Sequence, residues 1–115
     1  MAKGTRGEVW EVTFQAGTGA EIHKTRPAVI VSVPEVGRLP FCIVVPVTEW
    51  KAVFAQFSWF VHLPPTAENG LVKPSGADAF QVKSVSESRL VRKLGRISSD
   101  QIEQVAAAIA LCVGY

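Results

Sequence analysis

The sequence predicts a mainly β protein, a small curled antiparallel sheet or barrel with one C-terminal α-helix. Three observations predict it. Short runs rich in Val, Ile, Phe and Trp recur as far as Ile97, separated by Gly, Pro and Asn turn signals. Helical periodicity behind a cap appears only after Ser98. No internal repeat, low-complexity tract or composition shift divides the chain, so residues 1–115 form a single domain. Strands followed by one terminal helix suit a sheet that curls on itself and is closed by that helix.

The elements follow in order. Residues 1–5 are a polar arm, and Arg6–Phe14 (RGEVWEVTF) alternates apolar and polar residues as a first strand. Gln15–Ala20 is a glycine-containing loop without the spacing of a dinucleotide or P-loop motif. Ala28–Val33 is a second strand, Pro34–Pro40 a turn, and Phe41–Val47 a third strand with Pro46 at an edge or bulge position. Gln56–Leu63 is expected as a fourth strand, with Phe57, Trp59 and Val61 on one face and Ser58, Phe60 and His62 on the other. A turn-rich connection, Pro64–Gly76, contains the tight-turn signal Asn69-Gly70. Ala77–Val85 is expected as one continuous fifth strand, Ser86–Arg89 as a short turn and Val91–Ile97 as the last strand. Ser98 and Gln101 form a capping box, with Ile97 and Ile102 as its staple. Ile102, Val105, Ala106, Ile109 and Val113 then share a helical face before Gly114.

Composition narrows the class. At 48% hydrophobic and 19% charged residues, a chain of 115 residues can fold around a real core and is not a disordered segment. A net charge of +2 is too weak to argue for nucleic acid by itself. Lys83, Arg89, Arg92, Lys93 and Arg96, with only Glu87 among them, are either a phosphate-facing surface or a solvated face. Cys42 and Cys112 both lie in apolar runs and read as small buried hydrophobes, with no disulfide framework. No apolar run is long enough to span a membrane, and no signal peptide precedes the first strand, so a soluble cytoplasmic protein is expected.

Candidate chemistry centres on Glu21–Ser32. Pro27 fixes its own φ and biases Arg26 toward extended backbone, which would hold the guanidinium at the lip of the strand beginning at Ala28. That arrangement aims a cation at a substrate. An ordinary strand-end arginine in a surface ion pair fits the same spacing. No metal site is expected, because His23 and His62 are far apart and no Cys or His pair has ligand spacing. No nucleophile elbow is present, and Cys42 has no electropositive neighbour in sequence. Glu21, Arg26 and Thr48 remain: a carboxylate to take a proton, a permanent cation to hold a phosphate, and a hydroxyl to donate to it. Attack of an RNA 2′-hydroxyl on its own phosphate needs little more.

In this order, these residues resemble the MazF/PemK (Kid) family of toxin endoribonucleases from type II toxin-antitoxin systems. The likeness runs through Arg6-Gly7-Glu8-Val9-Trp10, Gly19-Ala20-Glu21 before Thr25-Arg26-Pro27-Ala28-Val29, Val45-Pro46-Val47-Thr48 and Gln81-Val82-Lys83-Ser84-Val85. Arg89-Leu90, Leu94-Gly95 and the closing helix complete it. No single motif is specific, but the ordered set covers nearly the whole chain. It implies a MazF/CcdB-like homodimer that cleaves single-stranded RNA at short sequences without a cofactor or metal, leaving a 2′,3′-cyclic phosphate and a 5′-hydroxyl. It also implies a cognate antitoxin and no membrane partner.

By position, the resemblance makes Arg26 the catalytic arginine, as acid or phosphorane stabiliser, Thr48 the phosphate-steadying hydroxyl and Glu21 the base. His23, Lys24, Gln81, Lys83 and Asp78 are the expected RNA-binding residues. There are departures. Phe80 precedes Gln81 where several relatives carry an acid, with Asp78 two residues earlier on the same expected strand face. Glu49 follows Thr48 where many relatives have a hydroxyl residue. Two other readings are a toxin of the same fold that inhibits a protein such as a topoisomerase, and a non-catalytic RNA-binding barrel using Lys83–Arg96. Trp50 is assigned to packing.

Overall fold

The computed structural model describes residues 4–14, 24–36 and 39–115. Among the described residues there are seven strands: β1 (Glu8–Phe14), β2 (Lys24–Ile30), β3 (Phe41–Glu49), β4 (Phe60–Leu63), β5 (Ser75–Asp78), β6 (Lys83–Ser86) and β7 (Leu90–Arg96). One helix follows, α1 (Ser99–Cys112). The sheet order is β4-β5-β3-β2-β1-β7, with β6 also on β3, and every pairing is antiparallel. The predicted class, a curled antiparallel sheet with a terminal helix, is the observed one.

β3 organises the sheet. Its first half lies between β2 and β6, so that Val44 pairs with both Ile30 and Lys83. Its second half leaves β2 and pairs with β5 instead. Side chains alternate across the strands into two cores. Val9, Val29, Val45, Val47, Val61, Leu63 and Ala77 face Ile102, Val105 and Ala108 of α1. Trp10, Val12, Ala28, Ile30, Cys42, Val44 and Leu90 pack on the opposite face. Burial on both faces explains why the middle strands β2 and β3 contain nearly unbroken apolar runs.

The helix begins as expected. Ser98 Oγ accepts from Gln101 N at 3.1 Å, and Gln101 Oε1 accepts from Ser98 N at 3.0 Å. Gly114 adopts φ 77° just past its end. The buried stripe differs from the expected one. Ala108 is buried, Ala106 and Ile109 are half-buried, and Val113, beyond the last helical residue, is 73% exposed. Cys112 is also only half-buried, whereas Cys42 is buried as expected.

Four strand boundaries are corrected. β2 starts at Lys24, not Ala28, so Arg26 sits inside a strand and pairs with Val12 of β1. β3 runs on through Thr48 and Glu49. The expected fourth strand is reduced to Phe60–Leu63, because Ala52–Gln56 forms a 3-10 turn and a further turn follows it, in which Phe60 N donates to the Phe57 carbonyl at 3.1 Å. The expected fifth strand is two strands, split by a 3-10 turn at Ala79–Gln81. Asp78 causes the break. Its carboxylate accepts from Phe80 N at 3.2 Å, which favours a turn over continued extension.

The sheet order also places the cationic run. β7 pairs with β1, which brings the cations against the acids of the first strand. Arg92 bonds Glu11 at 3.0 Å, and Lys93 and Arg96 approach Glu8 Oε2 at 3.0 and 3.4 Å. Arg89 Nη1 donates to the Thr13 carbonyl at 3.5 Å, and Lys83 Nζ lies 5.3 Å from the Phe14 ring centroid. The five cations are therefore largely engaged within the fold while Arg92, Lys93 and Arg96 stay exposed, which favours the solvated-face reading. Asn69-Gly70 is a turn, as expected. Its buried amide accepts from Thr66 N and Leu71 N and donates to the Pro64 carbonyl, while Gly70 takes φ 69°.

Candidate active site

The β2–β3 ladder stops at Ala28 opposite Pro46. Beyond that pair, Pro27 has no N–H to donate, and β3 takes up β5 as its partner through Val47–Ala77, Thr48–Gly76 and Glu49–Ser75. The two strands separate and a cleft of about 400 Å³ opens between them. Lys24, Thr25, Arg26 and Pro27 line one wall, and Val47, Thr48 and Glu49 the other, with Lys73 and Ser75 at the end.

Arg26 and Thr48 each lie two residues past the last paired positions, Ala28 and Pro46. By strand alternation both occupy the face of Ala28 and Val44, one on each wall. Pairing with Val12 holds the Arg26 backbone in place. Its side chain is exposed, and no described residue pairs with it or hydrogen-bonds it. The surface ion pair that the sequence left open is thus absent among the described residues.

Among the described residues, three cations, Lys24, Arg26 and Lys73, and one carboxylate, Glu49, line the cleft. Lys73 Nζ approaches Glu49 Oε1 at 3.4 Å. The acid at the position after Thr48 therefore carries its own counter-charge, which reduces the repulsion it would offer a phosphate. Exposure of both partners keeps the pair weak.

The other expected site residues are distributed as follows. Lys24 lines the cleft. Glu21 and His23 lie outside the described residues. Asp78, Gln81 and Lys83 are not among the described residues lining the cleft. Asp78 caps the 3-10 turn, and burial pushes its carboxyl pKa up against the lowering effect of the Phe80 N–H. Gln81 ends that turn in an exposed position. Lys83, paired with Val44, lies on the same sheet face as Arg26 and Thr48, but its amine is over Phe14.

Lys73 and Ser75 were not predicted. They reach the cleft from the turn-rich 64–76 connection, where no spacing marks them. Burial, followed by the nearby Glu87 charge, raises the Cys42 thiol to about 11, which leaves it protonated and unreactive near neutrality.

A family model of PemK-like, MazF-like toxins of type II toxin-antitoxin systems matches residues 5–113. The chain belongs to this family. It is 34% identical over 113 residues to a Mycobacterium tuberculosis protein named endoribonuclease MazF9, spanning 92% of both chains. Among solved structures, MazF from Deinococcus radiodurans superposes with a TM-score of 0.76 at 21% identity, covering 97% of each chain. A mycobacterial endoribonuclease in complex with its cognate antitoxin superposes at 0.71 and 18% identity, covering 96% of this chain and 95% of that one. At such identities the two structures establish the MazF fold alone. The cleft between β2 and β3 is therefore a feature of a MazF-like toxin chain, and Arg26 and Thr48 stand in it at the positions that the sequence resemblance assigned to catalysis.

Proposed function

We propose that the chain is the toxin of a type II toxin-antitoxin system, a metal-independent endoribonuclease that cleaves single-stranded RNA at short sequences. The observation that carries this reading is the shared cleft, in which a guanidinium with no ion-pair partner among the described residues faces a hydroxyl across separating strands. A scissile phosphate between Arg26 and Thr48 would receive a bidentate, permanently charged donor from one wall and a neutral donor from the other.

In the reaction, a base takes the 2′-hydroxyl proton. The 2′-oxygen then bonds to phosphorus, the bond from phosphorus to the 5′-oxygen breaks, and that oxygen acquires a proton. The products are a 2′,3′-cyclic phosphate and a 5′-hydroxyl. Arg26 suits the growing charge of the phosphorane better than proton donation, because a guanidinium does not release its proton near neutrality. Glu21 is assigned as the base through the family resemblance.

Partnership with an antitoxin and assembly as a homodimer in the cytoplasm belong to the same proposal. The complex formed by the mycobacterial relative supports the first. Exposed Val36, Leu39 and Phe41 supply apolar surface for an interface. Among the described residues, no helix is long and apolar enough to cross a membrane.

Thr48→Ala tests the role of the second wall. The account predicts a fall in kcat of roughly 10- to 100-fold, the worth of one hydrogen bond to a charged group, with the melting temperature kept. Steady-state cleavage of single-stranded RNA in chelator measures it, and an unchanged kcat would remove Thr48 from the mechanism. The protein-inhibitor reading requires no cleavage at all and fails if the wild-type chain cuts RNA.

A further inference from the structure

The sheet continues past the cleft. Thr48 pairs with Gly76 of β5, and Gly76 pairs with His62 of β4, so these three positions lie in one row on one face. Gly76 has no side chain, and the Trp50 ring fills the space above it. A Cβ at Gly76 would come within 2.9 Å of Trp50 Cε3. The His62 imidazole stacks on that indole, with ring centroids 4.4 Å apart and planes 27° apart. Phe54 meets the same indole edge-on at 5.7 Å and stacks on Phe60 at 4.0 Å. Trp50, Phe54 and Phe60 are half-buried, whereas His62 is exposed. No described residue hydrogen-bonds the imidazole.

This is a flat aromatic surface with a rigid footing, placed about 10 Å, or two strand spacings, from Thr48. An extended RNA strand whose phosphate lies between Arg26 and Thr48 would bring a neighbouring base to it.

We propose that Trp50 and His62 form a stacking platform for the base of a nucleotide next to the scissile phosphate. His62 presents the outer face, and Trp50, seated over Gly76, supports it. The proposal rests on the RNA-cleaving reading of the cleft. Stacking tolerates any base, so the platform contributes affinity and positioning more than base readout.

His62 is exposed, so its replacement spares the core. Short 2′-O-methyl RNA of randomised sequence, which lacks the attacking hydroxyl, isolates binding from cleavage. His62→Ala is expected to weaken its binding about tenfold, and His62→Tyr to restore it. The slope of log affinity against log salt is expected to stay the same in both variants, because a stack releases no counterions. Unchanged affinity in His62→Ala would overturn the platform. So would a slope reduced by about one, which would make His62 a phosphate contact. A tenfold binding loss rescued by tyrosine, in a wild-type protein that cuts no unmodified RNA, would support the platform while refuting the nuclease.

Discussion

Replacing Arg26 with alanine will leave the sheet intact and reduce RNA cleavage by roughly 10²–10³-fold, the usual result of removing a donor aimed at developing charge. The side chain is exposed and takes part in neither core. Its position is held through the backbone, by pairing with Val12, and any residue suited to a strand preserves that pairing. Melting temperature should therefore stay near the wild-type value while turnover collapses. Arg26→Lys should recover little, because a point-charge ammonium cannot grip two phosphate oxygens at once. Single-turnover kinetics on RNA, with circular dichroism as the check on folding, measure both. Wild-type rates in Arg26→Ala would refute the assignment.

Acid will weaken the fold through Glu8. Its carboxylate is buried, and burial alone would raise its pKa. Trp10 Nε1 and Thr5 N, each donating to Oε1 at 2.9 Å, override that effect, helped by Lys93, and the folded value falls to about 2 from 4.5. A depressed pKa means that the ionised form is the one favoured by folding. The contribution is fully present above about pH 4.5 and is lost as pH falls through about 2. Its size is roughly 3 kcal/mol. Glu8→Gln should lower stability at neutral pH by about 2–3 kcal/mol and flatten the acid limb below pH 4.5. Urea titrations between neutrality and pH 2 follow it, and superimposable curves for the two proteins would exclude Glu8 as the source.

Glu8 also shows what the sequence could and could not reveal. Arg6–Phe14 was legible as a strand from its alternation, and the Ser98–Gln101 capping box from two residues three apart. Both signals are local. In sequence the five cations between Lys83 and Arg96 can pass for an open basic surface, because Glu8 and Glu11, the partners of Arg92, Lys93 and Arg96, are some eighty residues away and meet them only once β7 pairs with β1. The single strand expected over Ala77–Val85 failed for a subtler reason. No glycine or proline breaks that segment, and the Asp78 carboxylate capping the next turn is the sole local cue.

The site was legible in the same uneven way. Arg26-Pro27 and Thr48 stand out in the sequence, and they line one cleft. Pro27 marked the place, though not as the start of a strand. It lies within β2, at the point where the ladder to β3 ends and the walls of the cleft separate. Lys73 arrives from a turn-rich connection and pairs with Glu49, which no periodicity could have disclosed. Trp50 packs over Gly76, and its partner His62 looked like an isolated histidine until the β4–β5–β3 register put it beside the indole.

The most direct measurement is the end chemistry of RNA cut by the purified wild-type protein in excess chelator. Cleavage through the cleft predicts fragments with a 5′-hydroxyl and a 2′,3′-cyclic phosphate, and no cut at a site whose 2′-hydroxyl has been methylated. Fragments with a 5′-phosphate, or cleavage that stops when divalent metal is removed, would contradict it.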